Sequence, residues 1–167
     1  MTNVFDANCW CLYVDDEIRE SDGVGRAIFA TAKLKGGYLL DSGGHGRQQY
    51  IDMRRPYAEQ IFDLWAEGVV MSGHLKLVDL DGKDNLFKEL SEIGIPKKEH
   101  IFFKTAVHGG AAFIISADSD FFDPSKKKCG EEEKIALLAS GRGPVCKHMR
   151  KKHDITICCP TTFVAID

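Results

Sequence analysis

The 167-residue chain lacks any apolar run near the roughly 18 residues needed to cross a membrane. Its N-terminus has neither a basic segment nor a long apolar one, so no secretory signal is visible and a cytoplasmic location is expected. It lacks a strong charge of either sign: the net charge of -3 gives no global attraction to nucleic acid, and any such binding needs a local basic patch. It lacks a nucleotide-cradling glycine loop, because Gly23-x-Gly25 and Gly141-x-Gly143 have neither the spacing nor the lysine of one. It also lacks the C-x2-C pairs of common zinc sites. Its six cysteines are Cys9, Cys11, Cys129, Cys146, Cys158 and Cys159, and in a cytosolic chain they should be reduced. Spacing leaves two readings of them, free buried thiols or a zinc site of Cys146, His148, His153 and Cys158.

Strand and helix signals alternate along the whole chain. Short apolar strands are expected at Asn3–Asp6, Tyr38–Leu40, Leu75–Val78, Phe113–Ser116 and Ile155–Cys158. Helical spacing marks Trp10 to Ile18, Ala27–Leu34, Gln48–Glu67 with a break at Pro56, Leu86–Ile93, a helix opened by Pro96, and Cys146–Lys152. Ile135–Leu138 reads equally well as strand or helix. This alternation predicts one α/β domain over residues 1–167, a three-layer α/β/α sandwich around a mainly parallel sheet of about five strands. In such sheets sites form beyond the carboxyl ends of the strands. Asp6, Asp41, Asp79 and Asp118 each follow an expected strand, although aspartate also favours turns there.

The most informative segment is Gly110-Ala111-Ala112-Phe113-Ile114-Ile115-Ser116-Ala117-Asp118-Ser119-Asp120-Phe121, an apolar strand delivering two carboxylates. With Val4-Phe5-Asp6-Ala7-Asn8, the helix beginning near Glu99-His100-Ile101, and the close Ile155-Thr156-Ile157-Cys158-Cys159-Pro160, it resembles the PIN-domain nucleases in order and over nearly the whole chain. The resemblance implies a ribonuclease whose acids hold Mg2+ or Mn2+. It implies Asp6, Glu99 and Asp118 as catalytic acids and metal ligands, Asp120 as a fourth ligand, and Asn8 and Ser116 as groups that orient them. Small members resembling bacterial toxins imply an RNA substrate, a neutralising protein partner and a homodimer, without a membrane.

Physics suits those residues. Two carboxylates about 4 Å apart repel by roughly 1 to 4 kcal/mol between the dielectric limits of water and a protein surface. A divalent cation relieves that repulsion, and Mg2+ prefers hard oxygen ligands. Two departures leave a second reading open, a catalytically weakened module that binds RNA or a protein. Gln49 stands where the family offers an acid on a middle helix, with Asp41 or Asp52 as substitutes, and the register before Ile101 puts either Lys98 or Glu99 at another acid position. Arg47, Arg54 and Arg55, with the denser cluster Lys147, Arg150, Lys151 and Lys152, are the candidates for phosphate contact; a solvated helix face is the plainer account of the second cluster.

Overall fold

The structure, a computed structural model, describes residues 1–82 and 85–166. Five strands form one sheet: β1 (Asn3–Phe5), β2 (Tyr38–Asp41), β3 (Leu75–Val78), β4 (Phe113–Ile115) and β5 (Thr156–Cys158). All pairings are parallel, in the order β3-β2-β1-β4-β5. Between them run α1 (Ala7–Arg19), α2 (Val24–Leu34), α3 (His45–Asp52), α4 (Ala58–Met71), α5 (Leu86–Glu92), α6 (His100–Gly109), α7 (Glu131–Ser140) and α8 (Pro144–His153), with α9 (Pro160–Val164) last. Right-handed crossovers put α1, α2 and α4 on one face and α5, α6 and α8 on the other, giving three layers. No helix among the described residues is long and apolar enough to cross a membrane.

Local sequence explains these boundaries. Pro56 does separate two helices, α3 and α4. Pro96 opens a single 3-10 turn at Lys97–Glu99 before α6 begins. The ambiguous Ile135 segment lies inside α7, whose first turn carries Glu131, Glu132 and Glu133 at the positive end of the helix dipole. Gly25 permits a close crossing of α1 and α2, because a β-carbon there would lie 2.3 Å from the backbone of Leu12.

The core on the α1 face is aromatic. Trp10 is fully buried and touches the rings of Tyr13, Phe29, Tyr50, Phe62 and Trp65. Truncating such a side chain to alanine costs about 3 to 5 kcal/mol. On α4, Phe62 is the buried anchor and Leu64 is exposed. Tyr50 on α3 donates its hydroxyl to the Phe5 carbonyl over 2.8 Å, which fixes the end of β1 against α3. On the other face Phe103 stacks on Phe121, holding the turn after β4 against α6.

The strand order reverses between β1 and β4, because one crossover leaves β1 for β2 and the next arrives at β4 on its other side. Neither loop covers the carboxyl ends at that point, so a crevice is expected there. Asp6 is the first residue beyond β1, and Asp118 lies three residues beyond β4.

Candidate functional site

Asp6 is buried and caps α1, its Oδ1 accepting the Cys9 N–H at 2.8 Å. Its Oδ2 accepts the hydroxyl of Ser116, the first residue after β4. That same Ser116 oxygen accepts the Asp118 N–H at 2.9 Å, so one hydroxyl ties the two strand ends together. Asp118 in turn caps the 3-10 turn Ser119–Phe121, accepting the Asp120 N–H at 3.0 Å, and its other oxygen lies 3.5 Å from the Asn8 amide nitrogen. Asp6 and Asp118 both lie within three residues of the paired strands β1 and β4.

Glu99 reaches the same place from α6. That helix runs back towards the amino end of β4, so its first turn stands at the carboxyl rim. Glu99 is the residue at that turn, buried, with Lys98 Nζ at 3.1 Å. Burial pushes its carboxyl above the usual range, and the charges of Asp6 and Asp118 push the same way against the pull of Lys98. Asp6 is raised for the same first reason, desolvation, opposed by its hydrogen bonds from Ser116 and Cys9 and reinforced by Asp118. The structure therefore brings Asp6, Glu99 and Asp118 within electrostatic reach of one another. Asn8, Glu99 and Asp118 line one cavity of about 330 Å³ with Gln49, Asp52 and Lys98.

Asp120 adds a separate observation. It is buried, its Oδ2 lies 3.4 Å from Lys127 Nζ, and its Oδ1 has no hydrogen-bond partner. A buried carboxylate oxygen without a donor is costly, and a cation or its bound water is a natural partner. The donor set of carboxylate oxygens fits Mg2+ or Mn2+.

The positions that departed from the resemblance separate clearly. Gln49 faces the cavity, but its amide donates to the Lys98 carbonyl. Asp41 lines the neighbouring cavity and not the one that Glu99 and Asp118 share. Both its oxygens are spent on the first turn of α3, one on Gly46 N at 2.8 Å and one on His45 N at 2.8 Å, and a side chain at Gly46 would crowd this cap, with a β-carbon 2.9 Å from Asp41 Oδ1. Asp52, at the last turn of α3, does line the cavity, with one oxygen accepting the Gln48 amide at 2.8 Å. Asp79 holds the turn after β3 through the Asp81 N–H, 2.9 Å away.

The basic residues singled out for phosphate contact are mostly turned elsewhere. Arg47 pairs with Glu59 and Asp63 on α4, at 3.2 and 3.1 Å, and lies over the Phe62 ring. Arg55 pairs with Asp15 on α1 at 3.4 Å, and Arg54 is exposed in left-handed backbone. The cluster on α8 is placed by topology. α8 runs antiparallel to β5, so its last turn sits at the amino rim of the sheet, opposite the acids. Arg150 there bonds Thr156, the first residue of β5, and Lys147 and Lys151 are exposed along the same helix. Sequence density had pointed to this cluster, but the direction of the helix removes Arg150, Lys151 and Lys152 from the carboxyl rim, whereas Lys147 lies in the first half of α8, nearer that rim.

The cations that do stand at the rim were not picked out for substrate contact. Lys98 is flanked by Lys97, and both line a neighbouring cavity of about 650 Å³ together with Lys104, His45, Asp41 and Gln49. Gln49 and Lys98 belong to both cavities, so the two adjoin. The signal was present in the same residues that made the register before Ile101 ambiguous, Lys97-Lys98-Glu99 opening α6.

Of the two readings of the cysteines, the free thiols hold and the zinc quartet does not assemble. Cys146 and Cys158 turn into the core, where burial pushes their thiols up to about 11 and about 12. His148 and His153 turn away from them to Glu89 on α5. No family model, curated protein or solved structure matches this chain.

Proposed function

We propose that the chain is a metal-dependent endoribonuclease of PIN type, with its site at the crevice between β1 and β4. The observation that supports this best is the convergence of Asp6, Glu99 and Asp118 at that crevice, two of them held above their ordinary pKa by burial and mutual charge. Such a cluster costs stability unless a cation compensates it. Asp6, Asp118 and Glu99 would hold Mg2+ or Mn2+, with Asp120 as a further ligand or as an acceptor for metal-bound water. Bound there, the ion would activate water for attack on phosphorus and neutralise charge developing on the phosphate.

The chain's own residues take the remaining tasks. Ser116 and Asn8 hold the carboxylates of Asp6 and Asp118 in register. Lys98, and Lys97 and Lys104 beyond it, offer positive charge to the flanking phosphates of a single strand, contacts that are salt-sensitive and blind to sequence. The proposed setting is the cytoplasm, in keeping with six free cysteines. The toxin variant of this proposal, with a neutralising partner and a homodimer, is supported by the sequence resemblance alone.

A second function, an RNA- or protein-binding module that has lost cleavage, is favoured by one specific arrangement. Lys98 already compensates Glu99, and Gln49 leaves that wall of the cavity without a charge. One experiment separates the two: labelled single-stranded RNA incubated with Mn2+, with EDTA, Asp6→Asn and Asp118→Asn as controls. Cleavage lost in all three controls supports the nuclease. Intact RNA that is nonetheless bound supports the module, and cleavage that survives the controls would overturn the metal-acid mechanism.

A further inference from the structure

A second cluster lies away from the acids. Glu89 on α5 and His148 and His153 on α8 are brought together across 59 and 64 residues of sequence. Both imidazoles point Nε2 at the same carboxylate oxygen, Glu89 Oε1, at 2.8 and 2.6 Å. The three ligand atoms all lie within 4.8 Å of one another, and each residue is half-buried. Lys152 holds the other oxygen, Oε2, at 2.6 Å. Burial pushes the Glu89 carboxyl up, but the bonds from Lys152, His148 and His153 outweigh it and bring it down to about 2. Glu89 is therefore an anion throughout the neutral range.

We propose that Glu89, His148 and His153 form a binding site for one Zn2+ ion, with water as the fourth ligand, which clamps α5 to the end of α8. Two imidazole nitrogens and one carboxylate oxygen are a borderline-soft set that suits Zn2+ better than Mg2+. In a tetrahedral site with bonds near 2.0 to 2.1 Å, neighbouring ligand atoms stand about 3.3 Å apart. The Nε2–Oε1 separations of 2.8 and 2.6 Å are shorter than that, so each nitrogen needs to part from the oxygen by about 0.5 to 0.7 Å. Zn2+ takes the Nε2 lone pairs, so each bound ring carries its one proton on Nδ1, and a proton lying between Nε2 and Glu89 moves to Nδ1 or is released to water. Lys152 bonds Oε2, the Glu89 oxygen that does not face the histidines. Its ammonium also opposes a second positive charge, and because it is exposed it can swing into water when the ion arrives.

The test is a calorimetric titration of the full chain with Zn2+ at neutral pH in excess Mg2+, followed by the absorption spectrum of the Co2+ form. The wild type should take up a zinc equivalent that is absent, or weakened at least about 100-fold, in His148→Gln/His153→Gln. Its thermal midpoint should rise with zinc, and that of the double variant should not. Co2+ at this site should show ligand-field bands without thiolate charge transfer. Lys152→Gln, an exposed change that spares the fold, should tighten zinc binding severalfold. The proposal is overturned by equal zinc uptake in wild type and double variant, by a thiolate band that traces the metal to cysteine, or by zinc affinity unchanged or weakened in Lys152→Gln.

Discussion

The two acid-bearing clusters of this molecule are built on opposite electrostatic terms. At the carboxyl rim, Asp6, Glu99 and Asp118 outnumber the cation beside them, Lys98, and burial with mutual repulsion raises the carboxyls of Asp6 and Glu99. Between α5 and α8, one carboxylate is surrounded by two imidazoles and an ammonium, and its pKa falls to about 2 despite the opposing effect of burial. The first arrangement stores unfavourable energy that a hard divalent ion would relieve. The second is already balanced without an ion, and a metal would enter it by displacing protons. A cluster that destabilises the empty chain is a better sign of a reactive site than one that ties two helices together.

The largest effect that would sharpen this contrast is on cleavage. Asp118→Asn is expected to lower Mn2+-dependent cleavage of single-stranded RNA by at least roughly 100-fold, because even the loss of a group that merely supports a ligand costs 10- to 100-fold. Initial rates under single-turnover conditions check this.

Stability should move in opposite directions at the two clusters. Glu89→Gln removes the anion from three donors and should lower stability by roughly 1 to 2 kcal/mol, or about 2 to 8 °C in thermal midpoint. Asp6→Asn keeps the cap on α1, since asparagine caps a helix as well as aspartate does, yet removes one of the crowded charges. The metal-free variant should melt above the metal-free wild type while failing to gain from added Mn2+. Paired calorimetric scans with and without the ion measure both shifts, and a loss of stability in Asp6→Asn would break the comparison.

The same opposition has a pH signature. For Asp6 and Glu99 the folded-state pKa is raised, so the folded chain holds protons that the unfolded chain has released. Their contribution to stability is full below the ordinary carboxylate pKa and is lost as pH rises through the raised values. Glu89 is depressed, so its contribution is present above its ordinary value of 4.5 and is lost as pH falls towards about 2. Stability of the Asp6→Asn variant should therefore fall less between weakly acidic and neutral pH than that of the wild type. The Glu89→Gln variant should differ from wild type least in strong acid. Urea unfolding across the pH series reads both.

The smallest expected effect is a gain. Gln49→Glu restores a charge to the cavity wall and frees the Lys98 carbonyl from its amide donor, and should tighten Mn2+ binding severalfold. A loss of affinity would show that Lys98 and Gln49 belong to a site that no longer accepts a metal.

Much of the architecture was legible because glycines and prolines punctuate short apolar runs. Leu75–Val78 is a strand with the expected boundaries, and Pro56 divides two helices. α7 was not legible, since its apolar residues do not gather on one face and none of them is buried. At the candidate site, Asp6 and Asp118 could be found because a strand end places the next residues at a sheet rim. What one chain's sequence does not display is direction and distant pairing. The basic residues of α8 are dense, but only the antiparallel course of that helix shows that Arg150, Lys151 and Lys152 end at the wrong rim. Glu89 carries no local sign of the histidines it meets, which lie 59 and 64 positions further along. The acceptors chosen by Arg47, two carboxylates on the next helix, likewise appear only once α3 and α4 have packed.

The central claim is that the rim acids form a divalent-cation site. Its most direct test is a Mn2+ titration followed by electron paramagnetic resonance, on the His148→Gln/His153→Gln background so that only the rim site remains. A saturable bound fraction that disappears on adding Asp118→Asn is the expected result. No bound Mn2+ in the parent, or the same bound fraction with and without Asp118, would contradict it.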